Sequence, residues 1–168
     1  MMILYERGEI MFRALTRIKQ KLTPEESVAL LQQVTRGVLA VQGDDGYPYA
    51  VPTNHYYDPQ SGSLFFHSGI KGHKVDAIRS CDKVSYCVTD NGVRREGDWA
   101  LTYKSVIVFG RVRIIRDLEY AMDMTRRLSL QFTDDTDYIE QEITDAGDHT
   151  LVFELVPQHI TGKTVREA

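Results

Sequence analysis

The chain has 168 residues, of which 42% are hydrophobic and 26% charged, and its formal net charge is −4 at pH 7. These values predict one globular domain over residues 1–168, in which residues 1–22 form an N-terminal arm. The mild negative charge, without a basic run, excludes nucleic acid as an expected partner. No stretch approaches the ~20 consecutive apolar residues of a membrane span, so we expect no membrane partner either. The two cysteines, Cys81 and Cys87, are too few for a disulfide scaffold, and reduced cysteines predict a cytoplasmic protein.

The first predicted helix begins after Thr23. This residue can cap the helix, Pro24 suits the first helical position, and Glu26 completes a capping box. Gly37 is expected to end the helix, because glycine is common just beyond helix C-termini. Apolar residues at helical spacing predict its buried face: Val28, Leu31 and Val34.

Two strands joined by a tight turn follow this helix. Residues 38–41 are apolar at every position, which predicts a strand covered on both faces. Residues 44–46, Asp-Asp-Gly, form a hairpin turn in which the glycine supplies a positive φ. Residues 47–57 form the second strand, where Pro48 and Pro52 cannot donate to a ladder and therefore predict an edge. An edge strand can offer free backbone groups to a flat ligand, although an irregular edge without a ligand explains the prolines equally well.

The stretch from residue 64 to residue 78 suggests an anion site. Its apolar start predicts a strand, and a loop with two glycines follows before a helix that begins near His73. Backbone N–H groups at the helix start, the hydroxyl of Ser68 and the charges of Lys71 and Lys74 together suit a phosphate. An ordinary strand-to-helix turn with solvated lysines is the alternative.

The second half of the chain alternates between strands and helices. Gly110 predicts a bulge or a barrel corner within the longest strand. Strands at hairpin spacing with three or four helices predict an α+β fold built on an antiparallel barrel. The helix that starts at Asp117 is expected to bury Leu118, Met122, Thr125 and Leu128. The remaining predicted elements are strands at 83–89, 100–116 and 149–156, a polar loop at 90–98, and a helix near 136–143.

Five segments of the sequence together resemble a known superfamily. They occur in the order 37–41, 45–52, 64–78, 103–110 and 160–163. The chain resembles the pyridoxamine 5′-phosphate oxidase-like, FMN-binding split-barrel superfamily and, within it, the nitroimidazole-resistance (Nim) group. The resemblance implies an antiparallel Greek-key split β-barrel with flanking helices. It also implies FMN as the cofactor and a homodimer as the assembly.

The resemblance further implies which residues contact the cofactor. They come from two strands, from the strand-loop-helix unit and from its phosphate loop. The implied cofactor-binding residues are Val51, Pro52, Thr53, Asn54, His67, Ser68, Lys71, His73, Lys74, Tyr103, Ser105 and Val106.

His67 matches a histidine that lies close to the flavin ring in Nim-type proteins. The resemblance therefore makes it the expected catalytic residue. An imidazole titrates near neutral pH and can donate a proton to an acceptor during reduction. A partly buried histidine that only hydrogen-bonds its neighbours is the alternative interpretation.

Motifs for several other chemistries are missing from the sequence. The histidines show no HExxH spacing, the cysteines complete no zinc tetrahedron, and no GxSxG turn occurs, so we expect neither a metal nor a hydrolase. Pyridoxamine phosphate oxidases carry a C-terminal Trp-plus-Arg-Leu segment. This chain has only Trp99, and vitamin B6 oxidation is not expected.

Three functions remain open at this level. The first is an FMN-dependent oxidoreductase that reduces a nitroaromatic or related small-molecule electron acceptor. The second is a flavin-binding protein that stores or senses flavin without turnover. The third is a split barrel that uses a deazaflavin or haem. The resemblance indicates the cofactor better than it indicates the substrate.

Overall fold

The structure is a computed structural model that describes residues 12–167. This part of the chain forms eight strands and four α-helices. The strands are β1 (Arg36–Gln42), β2 (Pro48–Asn54), β3 (Tyr56–Asp58), β4 (Ser63–Gly69), β5 (Lys83–Thr89), β6 (Val93–Arg94), β7 (Leu101–Ile114) and β8 (Thr150–Arg166). The helices are α1 (Pro24–Gln33), α2 (His73–Ser80), α3 (Leu118–Ser129) and α4 (Thr136–Ala146). None of these four helices is long and apolar enough to cross a membrane.

The strands form one antiparallel sheet in the order β2-β1-β5-β7-β8-β4-β3, with β6 paired to β7. β2 contacts β4 although four strands of the path lie between them, so the sheet curls into a half-open barrel. The register shifts between Phe109 and Gly110 in β7, which confirms the predicted bulge. The predicted fold class, an antiparallel split barrel with flanking helices, is therefore confirmed.

The main core lies inside the curled sheet. Alternate residues of each strand point into it, as the twofold period of a strand requires. Tyr86 is the largest of its fully buried side chains. The described part of this core includes Leu39, Leu64, Phe66, Val75, Val88, Val106, Val108, Phe153 and Leu155.

Helix α1 packs against β7 and β8, and its capping box between Thr23 and Glu26 is formed as predicted. The helix ends at Gln33, so the prediction that Gly37 ends it is wrong. Gly37 lies in β1, where a Cβ atom would be 2.5 Å from the carbonyl oxygen of Cys87 and 2.8 Å from the hydroxyl of Tyr86. The glycine is needed because the Tyr86 side chain occupies that space.

Helix α3 covers the outer face of the sheet at β3, β4 and β8. Its buried residues are Ala121, Met124 and Leu128, and the first two pack with Phe65 and Val152 in a second core. Of the predicted buried face, Leu128 is buried and Met122 and Thr125 are partly buried, whereas Leu118 is exposed. The predicted face was therefore rotated about the helix axis.

Two strand predictions need correction. The stretch 47–57 is not one strand, because it breaks at His55 and continues as β3, which pairs with β4. Its first half, β2, is an edge strand as predicted. In β1, Val38 is 40% exposed, so residues 12–167 cover this strand on one face only.

The described part of the N-terminal arm packs on its own chain. Leu22 is buried in the main core and its N–H donates to the carbonyl of Gly162 at 2.9 Å. The ring of Phe12 stacks on His159, with ring centroids 4.8 Å apart. Residues 1–11 of the predicted arm lie outside the described residues.

Candidate functional site

The predicted strand-loop-helix unit is formed by β4, residues 70–72 and α2. Gly72 precedes the helix with φ +126°, and a Cβ atom placed there or at Gly69 would meet no atom within 4 Å. No side chain among residues 12–167 caps the start of α2. The unit therefore presents an open helix N-terminus whose first backbone N–H groups can bind an anion.

Lys74 and His67 lie close enough to interact electrostatically across this unit. Partial burial lowers the pKa of Lys74 from its usual value. The pKa of His67 is lowered first by desolvation of its ring and second by the charge of Lys74. His67 itself is accessible to solvent on one side. The structure thus places a partly desolvated cation beside a histidine that favours its neutral form.

The other predicted residues of the loop differ in their surroundings. The imidazole of His73 stacks on the ring of Tyr49 at 4.1 Å, and its Nε2 lies 3.5 Å from Asp44 Oδ2. These contacts hold His73 against the β1–β2 hairpin. Lys71 is exposed, and Ser68 lies on the opposite face of β4 from His67.

The predicted segment of β2 divides between the two faces of the sheet. Val51 packs against the main core, and Thr53 is buried. Pro52 and Asn54 lie on the outer face by the alternation of the strand. The side-chain oxygen of Asn54 accepts a hydrogen bond of 2.7 Å from Nε of Arg36. Only the outer-face pair presents side chains to a ligand on that face.

The predicted segment of β7 divides in the same way. Val106 is fully buried in the main core, so it can approach a ligand only through its backbone. Tyr103 and Ser105 lie on the outer face, and Ser105 pairs with Thr89 on one side and Lys163 on the other.

Two of these outer-face residues, Asn54 and Ser105, belong to one lateral row across the sheet. The register that pairs Asn54 with Arg36 and Ser105 with Thr89 continues between β1 and β5. Three strand spacings separate Asn54 from Ser105, which is roughly 14 Å. Sequence reasoning missed Arg36 as a member of this row, although it lies two residues before Val38 and so shares its face.

A cavity of about 360 Å³ lies between α3, α4 and the outer face of β4 and β8. His67 and Asn54 both line it, so the structure brings these two predicted site residues together. Most of the cavity wall was not predicted as a site. Met122 and Thr125 were expected in the core but face this cavity. The hydroxyl of Thr125 among apolar residues was the one feature of the sequence that could have indicated a binding site on this helix face.

The fold and this site define a class of protein: an α+β split barrel with an uncapped, open helix start beside a cavity. The chain belongs to the family described as pyridoxamine 5′-phosphate oxidase, whose model matches residues 23–164. No curated protein matches the chain significantly in sequence.

Several solved structures share the fold. A proposed 5-nitroimidazole antibiotic resistance protein from Bacteroides thetaiotaomicron is 18% identical, with a TM-score of 0.72 over 98% of this chain and 97% of that one. A FAD-binding protein from Mesorhizobium loti is 23% identical, with a TM-score of 0.63 over 87% and 97% of the two chains. The FAD binding protein from Mycobacterium smegmatis is 21% identical, with a TM-score of 0.64 over 88% and 99%.

Proposed function

We propose that the protein is a homodimeric, FMN-dependent oxidoreductase that reduces a nitroaromatic or related acceptor. One observation carries the proposal: His67 lines a cavity and lies beside the partly buried Lys74 at an open helix start. We also propose that the other predicted site residues contact the FMN cofactor.

The residues of the turn fit the phosphate of a flavin. Burial lowers the pKa of Lys74, and none of the ion pairs formed within residues 12–167 includes this lysine. A phosphate beside it would stabilise the ammonium form and accept hydrogen bonds from the first N–H groups of α2. The open space at Gly69 and Gly72 leaves room for the anion.

His67 is placed to act on the acceptor. Bound FMN would supply the electrons for the reduction. Converting a nitro group to a nitroso group and water takes two electrons and two protons, and the imidazole of His67 can deliver one of these protons or orient the group that receives it. A phosphate next to Lys74 would also weaken the positive field on His67 and raise its pKa towards neutrality.

A second copy of the chain would cover the outer face of the sheet. Val38, in the interior of the sheet path, points to this face between Pro52 and Cys87, and it is 40% exposed. Apolar sheet faces are normally covered by a second layer. An isologous contact at this face would bury more than ~2,000 Å² in an obligate pair. It would bring a second chain next to the row that contains Asn54 and Ser105.

The proposal is tested by titrating the purified protein with FMN and then reducing the complex anaerobically. We expect saturable binding of one FMN per chain and reoxidation of the reduced complex by metronidazole, a 5-nitroimidazole. Binding without reoxidation by any nitro compound would leave a flavin-storing or flavin-sensing protein. Failure to bind FMN, or purification with the absorbance of a deazaflavin or haem, would overturn the proposal.

A further inference from the structure

The cavity between α3 and α4 is unusually apolar at its opening. Leu118, Phe132 and Tyr138 line it and are 68%, 52% and 55% exposed. Large apolar side chains that remain exposed around a single concavity are typical of a site that binds another molecule. Leu118 belongs to α3, Tyr138 to α4 and Phe132 to the connection between them. The tertiary structure therefore brings these three apolar side chains together around the opening.

The charges of the cavity wall exclude one class of ligand. Those of residues 12–167 that line the cavity include no lysine or arginine, whereas α4 contributes the carboxylate of Glu142. Among the described lining residues, the other side chain that can carry a charge near neutral pH is His67, whose pKa is lowered by desolvation and by the charge of Lys74 when no phosphate is bound. An anion in this cavity would lose part of its hydration, would meet the carboxylate of Glu142 and would gain no lysine or arginine partner from the described wall, which is unfavourable.

The cavity also limits the size and orientation of its ligand. Its volume of about 360 Å³ lies at the lower end of small-molecule sites. The polar groups at its sheet side are His67 and Asn54, while Met122 and Ile143 supply apolar walls on the two helices. A small molecule with an apolar body and one polar end satisfies both parts of the wall.

We propose that this cavity is the acceptor pocket of the enzyme and that it selects uncharged or weakly basic, mostly apolar molecules and rejects anions. The polar end of the ligand lies at His67, and its apolar body lies between α3 and α4. The placement of the reacting nitro group at His67 rests on the proposed function. The selection against anions depends on the wall alone.

The first test fills the cavity and measures binding without turnover. Ile143→Trp places a larger side chain in the wall, and Gln141→Trp makes the same change at an exposed residue of α4 that does not line it. Binding of 4-nitrobenzyl alcohol is measured by ligand-detected NMR. We expect at least tenfold weaker binding to Ile143→Trp and unchanged binding to Gln141→Trp. Equal effects of the two changes would overturn the proposal.

The second test changes the charge of the wall at an exposed residue, where folding is not at risk. Native protein should bind 4-nitrobenzyl alcohol at least tenfold more tightly than 4-nitrobenzoate. Glu142→Lys should remove most of that preference, whereas Glu119→Lys, on the exposed part of α3, should retain it. Equal preference in all three proteins would overturn the charge selection.

FMN titration of the same variants separates this inference from the proposed function. Variants that bind FMN normally but show no selective change in nitro-ligand binding would contradict the pocket alone. Selective changes in nitro-ligand binding in a protein that binds no FMN would support the pocket and contradict the flavin reductase.

Discussion

The imidazole Nδ1 of His55 lies 2.9 Å from the hydroxyl oxygen of Tyr86 in the interior of the barrel. Nε2 of the same ring lies 2.8 Å from the carbonyl oxygen of Leu31 at the end of α1. The Tyr86 hydroxyl also lies 2.7 Å from the carbonyl oxygen of Thr53. Two buried side chains thus connect α1, β5 and the end of β2, which is the strand that the proposed flavin follows.

The protons of this network can be counted. The Leu31 carbonyl only accepts, so a neutral His55 carries its proton on Nε2 and leaves Nδ1 as an acceptor. The single proton of the Tyr86 hydroxyl can then go to Nδ1 of His55 or to the carbonyl of Thr53. Desolvation, opposed by the Leu31 hydrogen bond, lowers the pKa of His55 from 6.5 to about 4. His55 is therefore neutral in the folded protein at neutral pH.

Tyr86→Phe should destabilise the fold. The change leaves Nδ1 of His55 and the carbonyl of Thr53 without this buried partner, at a cost of roughly 1–3 kcal/mol. Urea unfolding monitored by circular dichroism measures the loss. Tyr47→Phe is the matched control, because Tyr47 is exposed, and it should leave the unfolding midpoint unchanged. A Tyr86→Phe protein as stable as the native one would show that the network contributes nothing.

The stability of the protein should fall as the pH falls from about 6.5 towards 4. His55 binds a proton near pH 6.5 when unfolded but only near pH 4 when folded, so the unfolded state binds more protons in this window. The contribution is complete above pH 6.5 and amounts to at most about 3 kcal/mol. Urea unfolding at pH 7.5, 5.5 and 4.5 measures it. His55→Gln should show a shallower decline, and parallel declines would assign the effect to other groups.

Local signals were sufficient for much of this fold. The capping box at Thr23, the alternation of 83–89 and the change of period after residue 72 each depend on neighbours in the chain, and each element begins where it was predicted to begin. The same holds for the turn that presents Lys74. Its open helix start follows from two glycines and the absence of a capping side chain.

Features that depend on distant neighbours could not be predicted in this way. The sequence predicts Gly37 as a helix stop, but its role is set by Tyr86, 49 positions later. The alternation of side chains along a strand places Val106 and Ser105 on opposite faces of β7. No pattern within β7 indicates which of these faces points into the core. The cavity beside His67 needs α3 and α4 to meet over β8, which is a property of the tertiary structure.

Val38→Glu should convert the proposed dimer to a monomer. The side chain is 40% exposed in β1, on the sheet face that residues 12–167 leave uncovered there, and a carboxylate buried against a second copy at this position would lack a partner. We expect the dimer dissociation constant to rise at least ~100-fold, as measured by light scattering over a dilution series. Val93→Glu adds the same charge at a 70% exposed position in β6 and should leave the dimer intact. A native protein that is monomeric at micromolar concentration with FMN bound would contradict the dimer itself.

Lys74→Ala should weaken FMN binding more than Lys104→Ala does. Lys74 lies at the helix start proposed for the phosphate, and a charge-assisted contact contributes roughly 1.5–3 kcal/mol, or about 10- to 150-fold in the dissociation constant. Lys104 instead lies 3.6 Å from Glu26 of α1. Fluorescence quenching of FMN gives both constants. Equal losses in the two variants would place the phosphate elsewhere.

His67→Ala should slow turnover while leaving FMN bound. The side chain lines the cavity proposed for the acceptor, and losing a positioned acid–base group typically costs 10²–10⁴-fold in rate. Because only the protonated ring can donate a proton, the rate in native protein should rise as the pH falls and the imidazolium fraction grows. His67→Gln keeps a side chain that can form hydrogen bonds but cannot be protonated. Its rate should be slow and should not change over the pH range in which the rate of the native protein changes.

His149→Ala provides the comparison for that result, because His149 is an exposed histidine that does not line the cavity. Its turnover, pH profile and FMN affinity should match those of the native protein. Rates and FMN occupancy are measured on the same preparation of each variant, with metronidazole as acceptor. If His67→Ala retains native turnover with full occupancy, the residue is structural. If it loses FMN, the ring of His67 binds the cofactor and the proton must come from another group.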